Sequence, residues 1–562
     1  MPANGTVIMK RREALLQQRS GHDQKWDRMA PLLAPSRKGI TGALPIGSSQ
    51  NSDQYDSTTM MAAELAAHFI AGHIINPAQR WLGFSMPELA DDDDTNEWLE
   101  ECRDIALRHL SASSFYAEGA ESLVDWIGFG TGFTMNEERP QPSNRVIPGF
   151  RGFHFSASRT GRFLIAEGVD GRVDTAMRDF TMSARNIVDA WGNKQDGRIP
   201  EKVTKAINEG RPDDVFDVTH SIYPRARSEQ GAGYRGMPWA SCWVEHETKT
   251  VMYESGYRMF PGSSPRYHRT PGPDPYGRGR GDLAFPDSMT LNTAKRMGFE
   301  DWALKIRPPM MHAHDAVHGT IGVKPGFPVS VNTHNKPIQH VIMPWETGSK
   351  PEVSQIKEEE LRKSIRQIFY VEQILALLEI HKSEMTALEF ARKIELIFRL
   401  IGPVYGRLEW EWLYPEVDII WDTLWWGRAF PPPPPIVEQT SGQIAVQFDN
   451  PIARAMRSGD ADSLMFALND TAPLWERFPQ MLDWVEPDDT MKGILNTRGV
   501  PAKWRRSEAQ VATLREARAE QEQKELQLAD AQAVSEIAKN AAPAVKTLNE
   551  VQGGRQNGAA RV

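Results

Sequence analysis

His312, His314 and His318 form the one metal-like constellation in this 562-residue chain. His312 and His314 are two apart and would share one side of a strand, where Asp315 could join them around an ion. Polar histidines in an insert more commonly sit at a subunit interface, so no metal and no cofactor is expected. The run Asp91 to Asp94 offers four carboxylates, but consecutive carboxylates splay apart rather than converge on one ion. It reads instead as a solvated loop with Asp94 as helix N-cap and Glu97 three residues on. Gly277-x-Gly279-x-Gly281 is half a phosphate-binding fingerprint. No buried apolar strand leads into it and arginines sit inside the turn, so it reads as a structural turn. Trp410, Trp412, Trp421, Trp425 and Trp426 could stack bases. Their helical spacing and the scarcity of nearby cations favour packing in a core or between subunits. Cys102 and Cys242, the only cysteines, can build neither a disulfide framework nor a zinc site and read as inert thiols.

Other chemistry is missing from the sequence. There is no G-x-x-x-x-G-K-[ST] loop, G-x-S-x-G elbow, H-E-x-x-H, C-x-x-C or EF-hand loop. The net charge is −9. A protein that grips many phosphates is usually basic, so tight sequence-specific DNA binding is not expected. An acidic protein can still let DNA slide past, touching it through sparse cations. No apolar run of 18 residues and no signal pattern appears, which points to a cytoplasmic product without a membrane span.

The length suits three or four domains. A helix is expected over Arg11–Leu33 and another over about Asp56–Ile75, the latter capped by Asp56-Ser57-Thr58 and stopped at Asn76-Pro77. Helices follow at about Thr95–Leu110 and Ser114–Phe129. Strands are expected at Phe150–Phe155, Arg162–Ala166, Thr175–Phe180, Val215–Tyr223, Ala240–Glu247 and Thr250–Tyr257, with short helices at Ala184–Trp191 and Pro200–Asn208. The turn Tyr276-Gly277-Arg278-Gly279-Arg280-Gly281 leads into a helical run that begins at Pro286 and stops at Pro308-Pro309. After a basic, His-, Gly- and Pro-rich insert, a second amphipathic helix is expected over about Glu352–Ile380. Its apolar face, Leu361, Ile365, Ile368 and Phe369, reads as one that neighbouring copies would cover. Thr386 and Glu389 form a capping box for a further helix, with breaks expected at Pro403 and Pro415. Pro431–Pro435 reads as a stiff spacer, Gln443–Phe448 as a strand, residues 451–540 as helical, and the last ~20 residues as disordered. The class is α+β.

Several pieces in order resemble the portal (head-to-tail connector) proteins of short-tailed, T7-like phages. They are the first helix with Trp26, Tyr55-Asp56-Ser57-Thr58, Pro77 with Arg80-Trp81, Tyr276-Gly277-Arg278-Gly279 before a long helix, and Met385-Thr386-Ala387. The resemblance covers about residues 10–450. It implies a ring of twelve copies around an axial channel at one capsid vertex, assembled in the host cytoplasm. Through it a separate terminase drives double-stranded DNA, a tail adaptor docks outside, and capsid and scaffolding proteins surround it. On this resemblance residues 1–281 and 386–450 form a wing, 282–308 and 352–380 two stem helices, 309–351 a clip, 381–385 a tunnel loop and 451–540 a crown. Channel contacts are expected from Lys295, Arg296, Arg366, His381, Lys382 and Glu384. Docking residues are expected at His312, His314, His318, Lys324 and Lys336. No enzyme activity and no membrane partner is implied. Two other readings stand beside it: another structural virion protein, such as a tail-tube or internal head protein, and an enzyme with a site in 130–257.

Overall fold

The computed structural model describes residues 3–35, 40, 54–90, 92–139, 150–194, 196–231, 233–307, 310–312, 337, 342–344, 351–379, 402–440, 442–449, 471, 486–497, 506, 510–528 and 532. Helix α1 (Gly5–Leu33) starts six residues earlier than expected, because the Asn4 side chain accepts from the Thr6 amide at 3.0 Å and caps it. Helix α2 (Thr58–Ile74) buries Ala62, Ala63, Ala66, Ala67 and Ala71. Small side chains let neighbouring helices approach closely. Strand β1 (Leu82–Ser85) is followed by α3 (Asp93–Ser111) and α4 (Phe115–Phe129). The cap of α3 is Asp92 rather than Asp94: its carboxylate accepts from the Thr95 amide at 2.9 Å and from the Thr95 hydroxyl.

The strand-rich block holds β2 (Thr134–Glu138), β3 (Phe153–Ala157), β4 (Phe163–Glu167) and β5 (Val173–Ser183), then α5 (Ala184–Trp191) and α6 (Glu201–Asn208). Strands β6 (Val215–Pro224), β7 (Trp239–Glu245) and β8 (Val251–Tyr257) follow. Strands β4 to β8 make one antiparallel sheet in chain order. Period-two alternation gives it two apolar faces. Leu164, Met177, Cys242 and Val244 pack with Ile8, Met9 and Leu15 of α1. Val218 and Met252 pack with Ile187 and Trp191 of α5 and Val203 and Ala206 of α6. Arg12 fastens α1 to the sheet through two bonds to Asp179, at 2.9 and 2.7 Å. Burial raises the Asp179 carboxyl, but bonds from His246, Arg12 and Thr219 outweigh it and hold the group well below the usual carboxylate range.

Short strands β9 (Gly262–Ser263), β10 (His268–Arg269) and β11 (Gly277–Arg278) lead to α7 (Arg280–Ile306). Helix α7 begins at Arg280, not Pro286, because the Asp282 carboxylate accepts from the Gly279 amide at 2.9 Å and caps the earlier turn. Pro286 lies inside the helix and forgoes only the bond to the Asp282 carbonyl. Strands β12 (Met310–His312) and β13 (Ile342–Pro344) pair antiparallel, with His312 opposite Ile342.

The expected single helix over 352–380 is two, α8 (Pro351–Ile368) and α9 (Val371–Glu379). Tyr370 breaks the helix at φ 60°, a left-handed conformation that a bulky residue seldom adopts. Its hydroxyl receives the Arg280 guanidinium, which ties the break to the start of α7. The face of Leu361, Ile365, Ile368 and Phe369 is covered within the chain. Ile365 and Phe369 are fully buried, and Leu361 and Ile368 pack against the same core. It therefore needs no neighbouring copy.

Helix α10 (402–408) passes through a π turn, Glu409–Leu413, into α11 (Tyr414–Trp426). The expected break at Pro415 becomes this widened turn, with proline in the first turn of α11, where a missing amide costs least. Residues 431–434 are irregular and Pro435 opens a short helix, α12 (Pro435–Gln439). Strand β14 (Ala445–Phe448) returns to pair with β1, Leu82 opposite Phe448. Further helices cover Pro487–Thr497 and 510–528. The helix expected at 386–401 and most of 451–485 lie outside the described residues. One contiguous core runs from α1, α2 and α4 through β2 and β3 to α8–α11.

Candidate functional site

The glycine turn and the two helices it launches are the centre of the molecule's organisation. The Tyr276 ring is buried and meets Trp26 edge-on at 5.5 Å between centroids. Trp26 in turn donates its indole N–H to the Phe129 carbonyl at 3.3 Å. The three glycines lie directly on the end of α4. A Cβ on Gly277 would stand 2.2 Å from the Gly130 carbonyl oxygen, on Gly279 2.5 Å from that of Ile127, and on Gly281 2.2 Å from that of Gly128. The space a phosphate would take in a nucleotide-binding loop is filled by the chain's own backbone, so the motif is a structural turn.

From this turn α7 runs 27 residues, about 40 Å at 1.5 Å per residue. Its root is tied to the body and to α8. The Ser364 hydroxyl donates to Asp287 at 2.7 Å, and the Ser288 and Thr59 hydroxyls bond at 2.6 Å. Asp56 receives the Arg362 guanidinium, 3.1 Å away, and the Tyr55 amide donates to Asn292 at 2.7 Å. Burial raises the Asp56 carboxyl, but bonds from Thr58 and Arg362 win and leave it below its ordinary value. The Tyr55-Asp56-Ser57-Thr58 segment therefore joins α2 to both α7 and α8.

Beyond this root the helix is mostly exposed, with Lys295 reaching Glu358 of α8 and the Phe299 ring 6.1 Å from that of Tyr55. Its buried residues, Gly281, Ala284, Ser288 and Leu291, all lie in the first half. Within the last ten residues Met297, Phe299, Trp302, Leu304 and Ile306 are all exposed, Trp302 at 62% and Ile306 at 58%. They occupy several sides of the helix, and Ile356 of α8 adds to them.

Each described channel candidate faces a carboxylate. Lys295 stands 3.1 Å from Glu358, Arg296 3.5 Å from Glu300, and Arg366 2.7 Å from Glu359. His312 ends β12, while His314, His318, Lys324, Lys336, His381, Lys382 and Glu384 lie outside the described residues. Among the described residues no group of three His, Cys, Asp or Glu could hold a metal, and no helix is long and apolar enough to cross a membrane. Both cysteines are free and buried, and burial pushes their thiols up to about 12. Neither is a nucleophile at neutral pH.

Two buried charge clusters lack any sequence signature, because their members come from distant segments. Arg266 is 1% exposed and holds Glu411 of the π turn at 2.7 Å together with Glu167 of β4. Glu416, buried in α11, accepts from the hydroxyls of Thr134 in β2 at 2.5 Å and Ser263 in β9 at 2.6 Å. Its other oxygen has no hydrogen-bond partner among the described residues. Burial dominates and pushes the Glu416 carboxyl up to about 7. The folded pKa lies above the unfolded one, near 4.5. The stabilisation is therefore whole below pH 4.5 and is lost as pH rises through 7. The loss is on the order of 3 kcal/mol. Glu416→Gln is expected to flatten that slope, so that denaturant midpoints measured from pH 5 to 8 differ less than in the wild type. An unchanged slope would assign the pH dependence to other groups.

The strand-rich block also has an open cavity of about 1450 Å³, lined by Glu137, Glu138, His154, Trp243 and Tyr257 among others. Its buried Arg178 bonds His220, which stacks on Trp243 at 4.1 Å; burial first, then the Arg178 charge, pushes the His220 imidazole down to about 3. It stays neutral across the physiological range. Arg178 also donates to the Ser156 hydroxyl at 3.0 Å and stands 3.6 Å from Glu137, while its Nε has no hydrogen-bond partner among the described residues.

The chain is thus an α+β body with a rooted helix that ends in an exposed apolar stretch. A family model described as bacteriophage head to tail connecting protein matches residues 6–505, and the chain belongs to that family. It is a portal-like structural protein of the tailed-phage virion. The chain is 27% identical to the probable portal protein of Bordetella phage BPP-1 over 85% of its own length and 84% of the relative's. It is 22% identical to the portal protein of Salmonella phage epsilon15 over 97% and 95%. It is also similar to a chain of the virion of a native gene transfer agent particle, at 14% identity and a TM-score of 0.29, covering 75% of this chain and 88% of that one.

Proposed function

We propose that the chain is the portal of a short-tailed, T7-like phage. In this reading twelve copies form a ring at one capsid vertex, which passes double-stranded DNA inward during packaging and outward during ejection. Residues 1–281 with 386–450 form the wing, α7 and α8–α9 the stem, 309–351 the clip and 451–540 the crown. The clip meets terminase and then the tail adaptor, and capsid and scaffolding proteins surround the ring. The observation that carries this reading is the exposed apolar end of α7. Five large apolar side chains within ten residues on several sides of one helix are not stable against water. Copies of the same chain arranged around an axis would cover them.

The charge fits a passive conduit. Twelve copies at −9 each carry −108, so DNA is repelled from the ring as a whole. Lys295, Arg296 and Arg366 already face carboxylates, so a phosphate that approaches them exchanges one partner for another. The expected contact is weak, independent of sequence and lost as salt rises. Nanomolar sequence-selective binding at physiological salt would contradict this.

The tunnel loop, with His381, Lys382 and Glu384, is assigned to the narrowest part of the channel. Lys382→Ala with Glu384→Ala is expected to leave assembly intact and to change the amount of DNA packaged or retained, measured as nuclease-protected DNA. Unchanged packaging and retention would remove the loop from the mechanism.

A further inference from the structure

A cavity of about 720 Å³ opens between α3, α11 and the segment from Pro433 to Val446, within the ~300–1,000 Å³ range of ligand clefts. Its walls are Trp98, Trp421, Trp425 and Trp426 with Phe84 and Ile444. Asp418 and Asp422, four apart on α11, and Glu438 of α12 face into it. No lysine, arginine or histidine is among its described lining residues.

Aromatic faces beside carboxylates suit a guanidinium, whose flat face stacks on a ring while its N–H groups reach an acid. The π turn and α11 already use that chemistry once each. Arg258 stacks 3.7 Å over Trp426, and Arg172 stacks 3.6 Å over Trp410. Trp425 lines the cleft and is 40% exposed. Burial raises the carboxyls of Asp418 and Asp422, and the nearby Arg172 and Arg258 offset it only in part. A further cation in the cleft would relieve that penalty. Phosphates would meet three acids and no cation among the described lining residues, so nucleic acid does not fit.

We propose that this cleft docks an arginine-bearing segment of a partner polypeptide, with the guanidinium between the indoles and the Asp418 and Asp422 carboxylates and an aliphatic neighbour against Ile444 and Phe84. The assignment rests on this chain's own residues and does not depend on the number of copies in the assembly.

Calorimetric titration of the assembled full chain tests it, with the blocked peptide Gly-Arg-Leu-Arg-Gly as probe. Its citrulline counterpart keeps the shape and loses the charge. Saturable binding of the arginine peptide is expected, with affinity lower by about tenfold or more for the citrulline peptide. A similar drop is expected for the arginine peptide on Asp418→Asn with Asp422→Asn. Trp425→Ala, at a position 40% exposed whose ring stacks on Trp421 at 6.3 Å, is expected to weaken binding with an unchanged circular dichroism spectrum. Absence of saturation at millimolar peptide would overturn the proposal, as would equal binding of the citrulline peptide or undiminished binding by Trp425→Ala. Binding to the monomer that vanishes on assembly would also overturn it and make the cleft a contact between copies.

Discussion

Replacing Phe299, Trp302 and Ile306 together by Ser is expected to leave the chain folded and to abolish its assembly. The three residues recur at i, i+3 and i+7 and so share one side of α7. They are 51%, 62% and 58% exposed, so their removal opens no cavity in the chain's own core. Burying the exposed half of each against a neighbour stabilises the contact by about 1–2 kcal/mol, and each copy in a ring makes that contact on two flanks. The variant is expected to keep the wild-type circular dichroism spectrum and to run as a monomer at concentrations where the wild type is assembled, with a melting point lower by the stabilisation that assembly supplies. Assembly at wild-type concentrations would remove the end of α7 from the interface.

The second large effect is local and steric. Gly279→Ala and Gly281→Ala are each expected to destabilise the fold by about 3 kcal/mol or more, because the new methyl meets backbone rather than a flexible side chain. The carbonyl of Ile127 lies 2.5 Å from the first and that of Gly128 2.2 Å from the second. Neither α4 nor the start of α7 can retreat, since the Asp282 cap and the buried Trp26–Tyr276 pair hold both in place. Gly298→Ala is the internal control. Nothing but the Glu358 side chain, at 4.0 Å, lies near that position on the exposed part of the same helix. Alanine there is expected to stabilise by about 0.8–1 kcal/mol through helix propensity alone. Denaturant titrations of the three variants separate these outcomes, and equal midpoints for all three would contradict the packing described at the turn.

Local signals carried the strands of the central sheet. Val215–Pro224 and Val251–Tyr257 are rich in β-branched and aromatic residues and are bounded by turns, and the expected ends lie within a residue of those found. The aromatic and glycine motifs were legible for a related reason, since Trp26, Tyr276 and the three glycines each satisfy a constraint that few other residues can meet. What escaped was set by partners far away in the chain. Strand β2 (Thr134–Glu138) ends in Asn-Glu-Glu, which has little strand propensity, and forms because β3 and β9 pair with it. Strand β1 is four residues long and exists through β14, more than 350 residues on. The break at Tyr370 was hidden because the apolar spacing of α8 continues into α9, while its cause, Arg280, lies 90 residues earlier. The face of Ile365 and Phe369 looked like a contact between copies for the same reason: α2, which covers it with α7, is remote in sequence. The apolar end of α7 became the proposed assembly surface only once burial was known. Glu416 and Arg266 could not be singled out at all, because a buried carboxyl and a surface one look alike in sequence.

The central claim is that copies of this chain close into a ring through α7, and native mass spectrometry of the purified full chain tests it most directly. The account predicts a single dominant species of twelve copies of the 63.3 kDa chain, converted to monomer by the triple substitution in α7. A 63.3 kDa monomer at every protein and salt concentration would contradict it.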